Sequence, residues 1–169
     1  MNLLDTFIEI CKKLNSDGIF PTLMGSLGFE LVSKENWNPS DIDIHVPGDP
    51  RGWEAPDELR IYQWDKIYQL MTDLGYELID LHEHEFKKNN VFVEFGTINS
   101  LEDFAGIKEE EIELIEMSNV KFRLPNLEQY LAIYKASSLD SYRNDQNNRK
   151  DFEKISWIEN KIKEVDVNE

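Results

Sequence analysis

The chain has a single cysteine, Cys11, among its 169 residues. That excludes an internal disulfide and fits a reducing, cytoplasmic setting. No apolar run approaches the roughly 20 residues a membrane span requires. The opening stretch, MNLLDTFIEICKKL, lacks the basic n-region, unbroken apolar core and small-residue cleavage site of a secretory leader. Positive charge is also scarce: 18 Lys and Arg against 34 Asp and Glu leave a net charge of −16. Proteins that hold long DNA or RNA replace its counterions with basic side chains, and no basic stripe is present to do so. A long nucleic acid is therefore not a predicted partner. The acidity suits a cationic small molecule, a basic protein surface, or solubility alone. A Walker lysine loop, a GxGxxG and a Ser-His-Asp elbow are all missing. His82 and His84 have strand spacing but no matching Cys or His elsewhere makes a zinc set.

Hydrophobic residues make up 40% of the chain, with nine Phe, six Tyr and four Trp, enough to bury the core of one domain. Leu3, Phe7, Ile10, Cys11 and Leu14 keep the spacing of a helix buried on one side, stopped by Asn15 to Gly18. Cys11 on that apolar face reads as a core thiol. Ile19–Met24 reads as a short buried strand, Leu27–Ser33 as helical, Lys34–Ser40 as a polar loop and Asp41–Val46 as a second strand. Pro47, Gly48, Pro50, Gly52 and Pro56 rule out regular structure over Pro47–Asp57. Glu58–Leu74 returns to helical period and Gly75 ends it. Tyr76–Phe86 and Val91–Ile98 read as two strands joined by Lys87-Lys88-Asn89-Asn90. Glu111–Met117 and Val120–Leu124 form another strand pair around Ser118-Asn119, although the charged residues from Lys108 to Glu111 also suit a helix start. Past Pro125 the pattern is helical: Asn126 with Gln129 makes a capping box, Asp140–Asn148 is a polar break, and Phe152, Ile155, Ile158 and Ile162 mark a last amphipathic helix. The predicted fold class is α/β (α+β), a mixed sheet flanked by helices. It divides into a core over residues 1–124 and a helical C-terminal segment over 125–169.

The stretch MGSLGFELVSKENWNPSDIDIHV, Met24 to Val46, carries the chemistry. Asp41 and Asp43 alternate with Ile42 and Ile44, so both acids face one side of a strand, roughly 6.6 Å apart. Two like charges on a rigid element repel, and Mg²⁺ is the hard cation that compensates such a pair. A D-x-D by itself also suits a solvated strand end. An EF-hand is excluded because the twelfth loop position, Gly52, supplies no carboxylate. Weight comes from what precedes the pair. Gly25 lets backbone approach a ligand, the following helix start offers free N–H groups to anions, and Ser26 adds a hydroxyl. Gly28 keeps the first turn slim. Glu94, in NVFVEFGTI, is the candidate third acid of a metal site, since a carboxylate in so apolar a strand calls for a partner. Glu83 and Glu85 are poorer candidates, and His45 shares the face of the two aspartates.

Gly25-Ser26, the helix after it and Ser40-Asp41-Ile42-Asp43 resemble the GS…D-x-D signature of the nucleotidyltransferase superfamily with the DNA polymerase β-like palm. The likeness is greatest to its small bacterial antibiotic and antitoxin-type branches. LPNLEQYLAIYKASSLD and RNDQNNRKDFEKI are similar to the family's C-terminal segments. The resemblance implies that Gly25 and Ser26 hold the β- and γ-phosphates of an NTP such as ATP, with Lys135 nearby and Arg149, Lys150 and Asp151 in support. It further implies that Asp41, Asp43 and Glu94 are catalytic and bind Mg²⁺ or Mn²⁺. The implied reaction moves a nucleoside monophosphate to a hydroxyl of a small acceptor and releases pyrophosphate. Three features depart from the general pattern: Glu stands where Asp is commoner, no Arg or Lys follows Ser26, and Arg51–Asp57 is an insertion. A nucleotidyltransferase-fold binding protein, either antitoxin-like or a nucleotide sensor, is the alternative. A Mn²⁺-dependent sugar transferase fits the short chain and the Gly-Ser turn less well. A homodimer or a protein partner stays open.

Overall fold

The computed structural model describes the backbone of residues 2–139 and 145–168, with side chains over 2–139 and 151–164. Helix α1 runs over Leu3–Ser16, with the Asn2 side chain accepting from the Asp5 N–H at its start. Strand β1, Thr22–Met24, leads directly into α2, Gly25–Ser33, and β2 follows at Asp41–Val46. The later elements are α3 (Trp64–Asp73), β3 (Glu77–Asp80), β4 (Glu85–Lys88), β5 (Val91–Thr97) and α4 (Leu101–Ala105). After these come β6 (Leu114–Met117), β7 (Val120–Arg123), α5 (Leu127–Ser138) and α6 (Asp145–Asn168). The Asn126–Gln129 capping box starts α5. Ser118 and Asn119 turn the β6–β7 hairpin, both at positive φ, the conformation a two-residue turn demands. Of the predicted polar break, residues 140–144 lie outside the described residues, while Asp145 to Asn148 already belong to α6.

The seven strands form one sheet in the order β3-β4-β5-β2-β1-β7-β6. β2 pairs in parallel with β5 and β1 with β7; the other four neighbours are antiparallel. This is the mixed α+β architecture that the alternation of helical and strand periods predicts. Strand β2 sits near the middle, and its alternation sends Ile42, Ile44 and Val46 into the core. There they meet Phe7, Ile10 and Leu14 of α1 and Ile67, Leu70 and Met71 of α3. The acids of β2 consequently lie on the opposite face. Phe29 of α2, Tyr130 and Tyr134 of α5, and Ile155 and Ile158 of α6 form a separate cluster that fastens the C-terminal helices to α2.

Two predicted elements are corrected. The helix expected over Glu58–Leu74 begins only at Trp64, because residues 60–62 are engaged with the loop before them. The Asp49 N–H donates to the Arg60 carbonyl at 2.7 Å, the Tyr62 N–H to that of Pro47 at 3.3 Å, and Ile61 bridges Gly48. The strand expected over Tyr76–Phe86 is two strands, β3 and β4, reversing through residues 81–84, with Lys87 and Lys88 inside β4. Buried Arg60 fixes that reversal. Its guanidinium donates to the His82 carbonyl at 2.6 Å, to His84 Nδ1 at 3.1 Å and to Asp57 Oδ1 at 2.6 Å. His84 adopts a left-handed φ of 51° and is wholly buried. Helical period alone carries no sign of such a buried cation.

Candidate functional site

The site starts from register. Asp43 pairs directly with Glu94 across the parallel β2–β5 ladder, and Glu94 in turn with Glu85 across β4–β5. Met24 is the partner of Asp43 on its other side. Directly paired residues project from the same face, so Asp43, Glu94 and Glu85 form one carboxylate row. Asp41 lies on that face two residues before Asp43, at the exposed start of β2. Glu94 is half-buried within the row. Burial, then the charge of Asp43, then a hydrogen bond and charge from Glu83, push its carboxyl up to about 9. Burial and the charges of Glu83, Asp41 and Asp80 raise Glu85 as well. The row holds more negative charge than it can carry ionised without a counter-charge. Hard oxygen donors in mutual repulsion fit Mg²⁺ or Mn²⁺ in chemical type. Among the described residues, however, no group of three or more His, Cys, Asp or Glu is placed to hold a metal ion.

Gly25 forms the wall of this row. Its φ of +66° is one that a side chain resists. A Cβ there would stand 3.0 Å from that of Asp43, so β1 turns into α2 with bare backbone against the aspartate. Ser26, next in α2, accepts a hydrogen bond at its Oγ from the Lys154 ammonium at 2.9 Å. Lys154 reaches it from α6, is buried, and lies 5.0 Å from the Tyr134 ring centroid. His45 stands 3.4 Å from Asp43 through its Nε2. Its ring occupies the space left by Gly96, where a Cβ would come within 2.8 Å of that nitrogen. The structure thus brings Gly25, Ser26, Asp43 and Glu94 together, with Asp41 alongside.

Other expected residues stand differently. Lys135 is exposed on α5, and the lysine in contact with Ser26 is Lys154. Arg149 and Lys150 fall in the first turns of α6, where their side chains lie outside the described residues; Asp151 is buried. Sequence reasoning passed over Lys154, yet a signal was present. Asp151, Lys154, Ile155 and Ile158 follow the i, i+3, i+4, i+7 spacing of a buried stripe, and a lysine on such a stripe calls for a partner.

No protein-family model matches the chain. It is 36% identical over 167 residues to the uncharacterized protein YnaI of Bacillus subtilis (strain 168), spanning 96% of this chain and 99% of that protein. Its fold is similar to the solution structure of the antibiotic-resistance factor ANT(2'')-Ia, a nucleotidyltransferase. There the TM-score is 0.50 and the identity 11%, with 96% of this chain and 91% of that one covered. That likeness concerns the fold. No helix among the described residues is long and apolar enough to cross a membrane.

Proposed function

For this chain, which belongs to the same family as YnaI of Bacillus subtilis, we propose a divalent-cation-dependent nucleotidyltransferase. It moves a nucleoside monophosphate from an NTP to a hydroxyl of a small acceptor. One observation carries this reading: Asp43 and Glu94 stand in register while the Gly25 bend, with Ser26 under Lys154, abuts the same aspartate. An anion subsite and a cation subsite side by side are what the tail of a nucleotide triphosphate requires.

In this reading the amides at the start of α2, Ser26 Oγ and the Lys154 ammonium take the triphosphate tail. Lys135, Arg149 and Lys150 are assigned to it by resemblance alone. Asp43 and Glu94, with Asp41 beside them, would hold Mg²⁺, which when bound supplies charge neutralisation on the phosphate oxygens. The acceptor oxygen bonds to the α-phosphorus, the bridging α–β P–O bond breaks, and pyrophosphate leaves with its electron pair. The acceptor proton passes to the Glu94 carboxylate. Glu94 must be ionised to receive it, so the repulsion in the acid row has to be neutralised before chemistry. Most of the rate then comes from positioning and charge compensation.

The test is pyrophosphate release with Mg²⁺, each NTP in turn and a panel of hydroxyl acceptors. Asp43→Asn is expected to lower release at least a hundredfold, and unchanged release would refute the enzymatic reading. The lack of a three-acid metal cluster among the described residues favours one competitor, a protein that binds nucleotide without turning it over. Thermal stabilisation by NTP with no pyrophosphate from any acceptor would decide for it.

A further inference from the structure

Beneath the Gly25 bend lies Tyr130 of α5, one of the largest fully buried side chains among the described residues. Its ring packs against Phe29 at 5.3 Å and stacks on Tyr134 at 5.6 Å. Its hydroxyl stands 3.3 Å from the Gly25 carbonyl oxygen and 3.4 Å from that of Leu23, so one proton is shared between two backbone acceptors. Burial, then Tyr134 and Asp43, raise its pKa well above the ordinary 10, which keeps the group a donor across the working pH range. Gly28 makes the contact possible, since a Cβ there would overlap both the Tyr130 hydroxyl and the Leu23 carbonyl oxygen. A glycine at the bend and a glycine one turn later thus serve the same small region.

The consequence follows from peptide geometry. A trans peptide unit is planar, with its C=O and N–H directed to opposite sides. The Gly25 carbonyl and the Ser26 N–H belong to one such unit, so an oxygen held toward α5 turns the Ser26 N–H away from it. We propose that Tyr130 is a positioning residue that, by hydrogen-bonding the Gly25 carbonyl, aims the Ser26 amide at the phosphate tail. The proposal rests on the nucleotide reading above and adds to it a role for α5. A helix packed against α2 and α6 thereby sets the orientation of an amide in the anion subsite. Because that amide touches the tail in ground and transition states alike, its misorientation raises KM for the NTP more than it lowers kcat.

Tyr130→Phe keeps the ring and deletes one oxygen. Calorimetry with Mg²⁺–ATP and with inorganic tripolyphosphate is expected to show affinity about 5- to 30-fold weaker, the loss of one hydrogen bond's worth of orientation, with kcat within about threefold. In the ligand-free protein, the ¹⁵N–¹H resonance of Ser26 should move further than those of Leu31 and Val32, at the other end of α2. Gly28→Ala, which displaces the same hydroxyl, should shift both readouts in the same direction. Tyr76→Phe, a buried tyrosine remote from the bend, should move neither. Unchanged affinity together with an unmoved Ser26 resonance overturns the proposal. If the wild type binds neither probe, the nucleotide reading falls by itself. The Ser26 resonance then decides alone whether Tyr130 orients that amide.

Discussion

Replacing Glu94 with glutamine should make the ligand-free protein more stable at neutral pH, because the substitution removes a charge the site cannot hold. Glu94 has its carboxyl raised from the usual 4.5 to about 9, first by burial, then by Asp43 and Glu83. Its folded pKa lies above the unfolded one, so its contribution is fully present below about 4.5 and is lost as the pH rises through about 9. At pH 7 the native protein keeps a proton that the unfolded chain has released. Spanning roughly two and a half pH units at about 1.4 kcal/mol each sets a ceiling of about 3.5 kcal/mol. The side chain is only half-buried and solvent screens the row, which brings the expected gain to about 1–2 kcal/mol. Glutamine resembles the protonated carboxyl in shape and can still donate to Glu83, without the proton. Urea unfolding in EDTA should therefore show Glu94→Gln more stable than wild type at pH 7, and thermal unfolding should show a rise of about 2–4 °C in Tm for each kcal/mol. The gap should close near pH 4 and widen toward pH 9. Millimolar Mg²⁺ should stabilise the wild type and narrow the gap, since binding to the native state adds to its stability. A variant that is less stable than wild type at pH 7, or a gap that ignores pH, would refute the account of the acid row.

Acid should loosen the insertion through His84. Burial, then the Arg60 guanidinium, lower its pKa from 6.5, so its contribution is present above about 6.5 and is lost as the pH falls below that. The slope is at most about 1.4 kcal/mol per pH unit, and the difference between wild type and His84→Gln, followed from pH 7 to 5, should shrink accordingly; a constant difference would sink the assignment. Cys11 is buried and burial pushes its thiol up to about 12, so a disulfide reagent should label it only as fast as the protein opens. Complete labelling within seconds in native buffer, with the fold intact by circular dichroism, would contradict that placement.

Much of the architecture could be read directly because the chain's short-range signals agree with its long-range packing. Periodicity placed α1, β2, β5 and α5 to within a residue or two, and the Asn126 and Gln129 capping box appears as written. That Asp41 and Asp43 share a face follows from strand alternation. The α3 boundary was not legible, since Leu59, Tyr62 and Ile67 fit a helical stripe while the backbone of residues 60–62 pairs with the loop at 47–49. Nor was the break between β3 and β4. It depends on Arg60, which comes from some twenty residues earlier and is buried with its hydrogen bonds satisfied by carbonyl oxygens, His84 and Asp57.

The sequence by itself determined the elements with strong local signals, the common face of Asp41 and Asp43, and the glycine bend before α2. Each of these depends on backbone geometry within a few residues. Only the tertiary structure decided that Glu94 lies beside Asp43, that Lys154 reaches Ser26, and that Tyr130 sits under Gly25. Those contacts join residues dozens to more than a hundred positions apart. They exist because burying the apolar faces of the sheet and helices brings these positions together, a constraint carried by the whole fold and written in no short stretch of chain.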